Sequence, residues 1–403
     1  MKILLINNFH YRKGGSETVY FNNARLLERA GHKVVFFSVE RDENEPCPYS
    51  KYFISDTSKM PKLRGLRKYF YNNEVAKKLE QLIVDEKPDI AHAHLMWGYM
   101  APAIFKVLKK YHIPLVHTVH DYRMVCPAYT FMTQGQICEE CRGTKFYTCA
   151  VNRCSKGNLL MSTVMAAEMY YRNMFFNPCK NIQGLIYVSK FAKNIHEKYA
   201  PKMADIPNLV LYNATSAQSN ITKGRSDYFL YFGRLSYEKG IDKLIDAAKE
   251  LSWIHLKIVG TGPIEGELKK RTGISDRIEF LGYKKGQELC NLVANAQFVV
   301  VPSQWYENNP MTIVEAYSLK TPVIGSDLGG IPEIIKHGVT GLVFKHDSKD
   351  SLIHVLNTAH GLSKQGYFQM TESAYRFYET HFSEDGYAEK LVGFYEQVLG
   401  NKY

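Results

Sequence analysis

The chain has 403 residues, 45% apolar and 23% charged. That composition places it with soluble globular proteins, and the length exceeds one ordinary core, so two to three domains are expected. The formal charge of +11 sits in one half: Met1–Thr215 holds 30 Lys and Arg against 18 Asp and Glu, a balance of +12, while the remainder holds 21 against 22. A basic half-molecule suits an anionic partner. No recognisable nucleic-acid motif accompanies it, so an anionic membrane surface is the better candidate.

MKILLINNFH does not read as a signal peptide, because Asn7-Asn8 ends its apolar core after Ile6. Lys2–Ile6 reads instead as a first buried strand. Lys33–Ser38, Asp89–His94, Pro114–Val119 and Gly184–Val188 follow as parallel-type strands, and Glu17–Ala30 and Val75–Asp85 between them carry the 3.6-residue period of helices. No apolar run reaches the roughly 18–20 residues of a membrane span. The longest, Leu159–Phe176, contains Glu168 and Arg172. The expected location is cytoplasmic, peripheral at the inner membrane face, so the eight cysteines read as thiols or metal ligands before disulfides. NATSAQSNITKGRSD is a polar linker. Beyond it, Tyr228–Phe232, His255–Val259, Ile278–Leu281, Phe298–Val301 and Pro322–Gly325 repeat the strand–helix alternation. The pattern predicts an α/β protein of two Rossmann-like, doubly wound parallel-sheet domains, 1–215 and 216–383, whose facing sides form a cleft. A C-terminal helix at about 384–403 is expected to pack back on the first domain.

Ligands of open α/β sheets bind beyond the carboxyl ends of the strands, and the notable residues fall there. Gly14-Gly15 follows the first strand and opens a helix that Ser16 can cap, so backbone N–H groups can meet an anion. His92, His94, His117 and His120 cluster at strand ends, with His94 a candidate for acceptor contact. Lys59–Tyr71 alternates Lys62, Arg64, Arg67 and Lys68 with Leu63, Leu66, Tyr69 and Phe70, a basic amphipathic stretch fit for a membrane surface or a solvated helix. In the inserted segment of about 126–157, Cys138-x2-Cys141 and Cys149-x4-Cys154 approach structural zinc-ligand spacing, with Cys126 as a substitute ligand. A redox pair and small buried hydrophobes are the alternatives. In GRLSYEKG, Arg234 and Lys239 can hold a phosphate pair, one as a fork and one as a point charge. The turns KIVGTGP, with Gly262, and FLGY, with Tyr283, can approach a nucleobase. Glu307 and Glu315 bracket ENNPMTIVE. So spaced, where a loop enters a helix, they suit opposite ends of a long ligand, with the cations between them.

These motifs taken in order (KILLIN…GGSE, HDY, VSKF, YNA, GRLSYEKG, VGTGP, FLGY, E-x7-E, TPVI and GGIPE) resemble the family 4 retaining glycosyltransferases of the GT-B fold, bacterial polysaccharide type, over nearly the whole chain. The resemblance implies transfer of a sugar from a nucleoside-diphosphate-sugar to an acceptor hydroxyl, such as that of a lipid-linked glycan. In that family the residues matching Arg234 and Lys239 hold the diphosphate, those matching Glu307 and Asn308, Asn309, Pro310 and Met311 meet the sugar, and Glu315 takes the ribose. His120 lies near the reacting centre, and Gly15 near the phosphates or acceptor. Retention implies front-face attack, with the leaving phosphate taking the acceptor proton and no metal required for catalysis. Asn308-Asn309-Pro310 departs from a glycine-containing version of this loop. A nucleotide-sugar epimerase of the same fold, or a non-catalytic subunit of a polysaccharide assembly complex, are the alternatives.

Overall fold

The computed structural model describes residues 1–57, 60, 62–98, 100–216 and 226–400, with the backbone alone at 62–64. The chain forms two compact units. Met1–Gln134, Cys138–Leu211 and Asp385–Tyr403 make the first; Gly135–Ile137 and Tyr212–Glu384 make the second.

The first unit is built on six parallel strands: β1 Lys2–Ile6, β2 Lys33–Phe37, β3 Ile90–Ala93, β4 Leu115–Val119, β5 Gly184–Tyr187 and β6 Asn208–Val210. Their order is β2-β1-β3-β4-β5-β6. Parallel strands need crossovers, which put helices on both faces, so central strands are buried throughout. Ile3, Leu4, Leu5 and Ile6 are accordingly all buried, and Leu4 pairs with Val35 on one side and Ala91 on the other. The C-terminal helix Tyr387–Gly400 belongs to this unit and packs beside the helix Gly15–Arg29. The Tyr395 hydroxyl lies 2.6 Å from Nδ1 of His92 on β3.

The second unit repeats the plan with β7 Tyr228–Phe232, β8 His255–Val259, β9 Ile278–Gly282, β10 Phe298–Val301, β11 Val323–Ser326 and β12 Gly341–Phe344, in the order β9-β8-β7-β10-β11-β12. One core face is filled by Phe229, Ile258, Phe298 and Leu356, and the other by Leu230, Val299, Ile313 and Tyr378. Phe229 and Phe298 stack at 5.9 Å across the central strand pair.

In both sheets the strand order reverses once, between β1 and β3 and between β7 and β10. Loops leaving such neighbours diverge and open a crevice at the carboxyl edge. Two strands absent from the sequence reading, β6 and β12, are the last of each sheet. They are short, and Gly341 opens β12 where a strand signal wants a β-branched residue. Most of the expected linker, 217–225, lies outside the described residues, as do Lys59 and the side chains of Lys62, Leu63 and Arg64.

Candidate functional site

In the second unit the loops after β7 and β10 meet at the reversal of strand order. Lys239 closes the short helix Tyr237–Lys239 in the first loop, and Glu307 lies in the second. The Lys239 ammonium donates to Oε1 of Glu307 at 2.7 Å, and the Ser303 hydroxyl donates to the same oxygen at 2.8 Å. The ammonium also stands 5.1 Å from the ring centre of Trp305. Burial pushes the Glu307 carboxyl up. The charge and hydrogen bond of Lys239, with Ser303, outweigh burial and hold it below the usual range. Arg234, equally prominent in the sequence, is exposed and makes no ion pair among the described residues.

The loop Glu307–Pro310 is buried. It leads into the helix Met311–Ser318, whose N-cap is Pro310 with no side-chain cap; the Ile313 N–H donates to the Pro310 carbonyl at 3.0 Å, and a helix start of this kind favours an anion. Asn309 is fixed by Asn213: the Asn213 backbone N–H donates to Oδ1 of Asn309 at 3.0 Å, and its side-chain amide to the Asn309 carbonyl at 3.2 Å. Behind the loop lies the turn Gly329-Gly330. The Gly330 N–H donates to the Glu307 carbonyl at 2.6 Å, and a Cβ on Gly330 would stand 2.0 Å from the Asn308 carbonyl oxygen. Ser303, Asn213 and this glycine turn were not singled out as site residues from sequence, although YNA and GGIPE were noted as motifs.

Glu315 sits one turn into the helix among Ile313, Val314 and Ala316. It is half-buried, and burial pushes its carboxyl up to about 7. No cation offsets that, unlike at Glu307. Gly262, after β8, must be glycine because a Cβ there would meet the Leu235 carbonyl oxygen at 2.1 Å. That contact packs the turn onto the strand-β7 loop carrying Arg234. Tyr283, after β9, is 70% exposed, an open ring face at the same carboxyl edge.

In the first unit, Gly14 is the N-cap of the helix Gly15–Arg29 and gives no side-chain cap. The expected Ser16 cap is corrected: Ser16 lies within the first turn and its hydroxyl donates to Glu17 at 3.1 Å, while the buried Glu17 carboxylate itself takes backbone hydrogen bonds at the helix start. His94 and His120 follow β3 and β4. Nδ1 of His94 lies 2.8 Å from Nε2 of His120, and the rings stack at 5.1 Å. Burial lowers His120 to about 3 and His94 well below its usual range, so both are neutral imidazoles sharing one proton between the facing nitrogens. His94 is completely buried, which puts it behind His120 as its support and out of direct reach of an acceptor. His92 and His117 are also buried and satisfied, His92 by Tyr395 and Thr118, His117 by the Ala93 carbonyl and the Trp97 indole.

The expected zinc set is not assembled. Among the described residues no group of three or more His, Cys, Asp or Glu side chains is placed to hold a metal ion. The thiols have other partners: Cys141 contacts the Thr148 hydroxyl at 3.2 Å, Cys138 accepts a weak bond from Asn152, and buried Cys149 hydrogen-bonds to Cys154, which that bond lowers to about 6. Burial pushes Cys141 up to about 12 and raises Cys126 and Cys138 also, against the thiolate form a zinc ligand needs.

Two family models match the chain in succession: Glycosyltransferase Family 4 over residues 13–210 and Glycosyl transferases group 1 over residues 213–365. An uncharacterized protein from the cps region of Klebsiella pneumoniae is 25% identical over 87% of this chain and 91% of its own. Among solved structures, sucrose-phosphate synthase of Thermosynechococcus elongatus superposes with a TM-score of 0.74 at 17% identity over 99% of both chains. Anabaena Alr3699/HepE, solved with UDP and glucose, gives 0.66 at 19% identity over 98% of this chain and 100% of its own. With both models matched in order and two parallel-sheet domains of the same fold, the chain belongs to the family 4-type glycosyltransferases of the GT-B fold.

Proposed function

We propose that this glycosyltransferase moves a sugar, with retention, from a nucleoside-diphosphate donor to a hydroxyl of a lipid-linked glycan during synthesis of a cell-surface polysaccharide. The observation that carries the reading is the Lys239–Glu307 pair at the strand-order reversal, with exposed Arg234 in the loop of Lys239 and half-buried Glu315 on the helix that follows Glu307. A carboxylate suits sugar or ribose hydroxyls, which donate to it; a guanidinium and an ammonium suit a diphosphate. Lys239 uses one N–H on Glu307 and has others for phosphate. As the sugar–phosphate bond breaks, negative charge grows on the diphosphate. Arg234, Lys239 and the N-terminus of Met311–Ser318 then stabilise it more than the ground state. Glu307 orients the sugar, Glu315 the ribose, and His120 offers a neutral hydrogen-bonding ring held by His94. In this reading the leaving phosphate takes the acceptor proton, and no metal or cofactor has a task. The cps-region relative supports the polysaccharide setting, and the UDP and glucose of the Anabaena protein make uridine donors the first to try.

A thermal-shift panel of nucleotide-sugars tests the donor half. The true donor at 100 times its Kd should stabilise by about 2.7 kcal/mol. Incubation of that donor with membrane extracts as acceptor source tests the transfer half. Conversion of the donor to an epimer without acceptor would remove the transfer reading.

A further inference from the structure

The helix Leu159–Phe175 is built inside out. Its two charged residues, Glu168 and Arg172, are completely buried. Arg123 donates to Glu168 at 3.0 Å, Arg172 stands 3.6 Å from the same carboxylate and donates to the Arg123 carbonyl at 3.0 Å. The outward stripe, at helical spacing, holds Leu159, Leu160, Thr163, Ala167, Tyr170 and Met174, with Phe175 at its end. Leu160, Met174 and Phe175 are 73%, 74% and 64% exposed. The adjoining helix Tyr147–Val151 adds exposed Tyr147 and Val151, its Tyr147 N–H bonded to the Tyr170 hydroxyl at 3.3 Å. Soluble helices normally bury the apolar stripe and expose the charges, and a contiguous exposed apolar patch marks an interaction surface.

The surroundings say what covers it. From Cys141 to Ala167 the sequence carries Arg142, Lys145, Arg153 and Lys156 and no Asp or Glu. All four are exposed, and none makes an ion pair among the described residues. Leu66 and Arg67, also exposed, lie on the helix Lys62–Phe70, whose Phe70 ring packs at 5.4 Å on Tyr171. Lys68 of the same helix is instead tied to Glu74 at 2.6 Å. An apolar face with an unpaired cationic fringe matches acyl chains beneath anionic headgroups. A second copy fits worse, because a two-fold pairing of this face would set the same cations against each other.

We propose that this face, centred on Leu160, Met174 and Phe175 and fringed by Arg142, Lys145, Arg153 and Lys156, is the surface by which the protein seats on an anionic bilayer. The proposal rests on the lipid-borne acceptor of the preceding reading and gives it an address distinct from the donor site.

The test is co-sedimentation of the full chain with phosphatidylglycerol–phosphatidylcholine vesicles and with phosphatidylcholine alone, at low and high salt. Wild type should bind the anionic vesicles and be released by salt. Leu160→Ser with Met174→Ser and Phe175→Ser should lose at least about tenfold in partitioning, by the area removed from the interface. Gln at the four basic positions should lose roughly 600-fold, since each such residue counts about fivefold. Phe368→Ser, an exposed aromatic of the second unit, should change nothing. Nucleotide stabilisation measured on every variant reports the fold and the donor site separately. Wild-type binding that both variant sets retain would overturn this face while leaving a membrane acceptor standing. Wild type that ignores anionic vesicles at low salt would overturn both. Sedimentation showing a dimer that the apolar triple variant breaks, without vesicle binding, would give the face to a second copy.

Discussion

Lys239 and Arg234 carry like charges five residues apart in one loop, and the sequence gives no reason to separate them. The structure does. Lys239 is held by a carboxylate that is 7% exposed, whereas Arg234 stands open. Removing the lysine leaves Glu307 buried without its cation, so Lys239→Ala should lower stability by about 1–3 kcal/mol, below the fully buried case because the lysine is partly hydrated. Arg234→Ala should leave the thermal midpoint nearly unchanged. Both should cut kcat on the order of 10²–10³ if they act on the departing diphosphate. Purified variants, assayed for turnover and thermal midpoint together, separate the roles, and equal midpoints would remove the structural part. Glu315 gives a pH signature. Its carboxyl, raised to about 7, binds a proton in the folded chain that the unfolded chain has already lost. That contribution to stability is therefore fully present only below the ordinary carboxyl value of 4.5 and is lost as pH rises from there through about 7. Glu315→Gln should raise the thermal midpoint at alkaline pH relative to wild type, with little change once pH falls to the ordinary carboxyl value of 4.5, while weakening donor binding. Because ribose hydroxyls donate to the anion, wild-type donor affinity should rise as pH rises through about 7, with proton release visible by calorimetry in two buffers.

The loop Glu307–Pro310 holds its shape because three segments brace it: Ser303 before it, Asn213 beside it and the Gly329-Gly330 turn behind it. Gly330 has an ordinary backbone conformation, so only space forbids a side chain there. Gly330→Ala must push the Asn308 carbonyl away, which should cost about 1–3 kcal/mol and displace Glu307. Gly338→Ala, with φ of +76 but no atom near the added carbon, pays only backbone strain. Thermal melts with and without donor should show Gly330→Ala losing donor stabilisation and Gly338→Ala keeping it. Elements of this kind were legible in part. Tyr228–Phe232 and Phe298–Val301 carry unbroken apolar runs, and both, with His255–Val259, appear with the expected ends. Of the final strands, β6 has only three residues, and β12, though as long as Phe298–Val301, opens on a glycine. The bracing of Glu307 was illegible because it joins residues far apart in sequence, which no local period encodes. In the helix Leu159–Phe175, Glu168 and Arg172 argued against a membrane span. Their four-residue spacing was the available sign that they pair with each other, and which way the pair faces depended on Arg123, on another segment.

The chain traverses the first unit, builds the second, and returns to the first for its last described helix. The two-sheet plan followed from twice-repeated strand–helix alternation, whereas the returning C-terminal helix was an expectation that no local pattern argued for. Tyr387, Leu391, Phe394, Tyr395 and Val398 are buried on that return, and Tyr395 also supplies the hydroxyl beside His92. At about 1.5–3 kcal/mol per buried side chain, losing the five removes on the order of 10 kcal/mol, comparable with the whole stability of a domain. It also strips a partner from a buried histidine two residues before His94, which supports His120. A chain ending at Glu384 should therefore fail to fold its first unit, while Tyr212–Glu384 keeps its own sheet and both of its core faces. Limited proteolysis should then cleave throughout the first unit and spare the second, and calorimetry should retain one cooperative transition that the donor shifts upward. A truncated chain that resists protease over Met1–Leu211 would show that the first sheet carries its own stability without the returning helix.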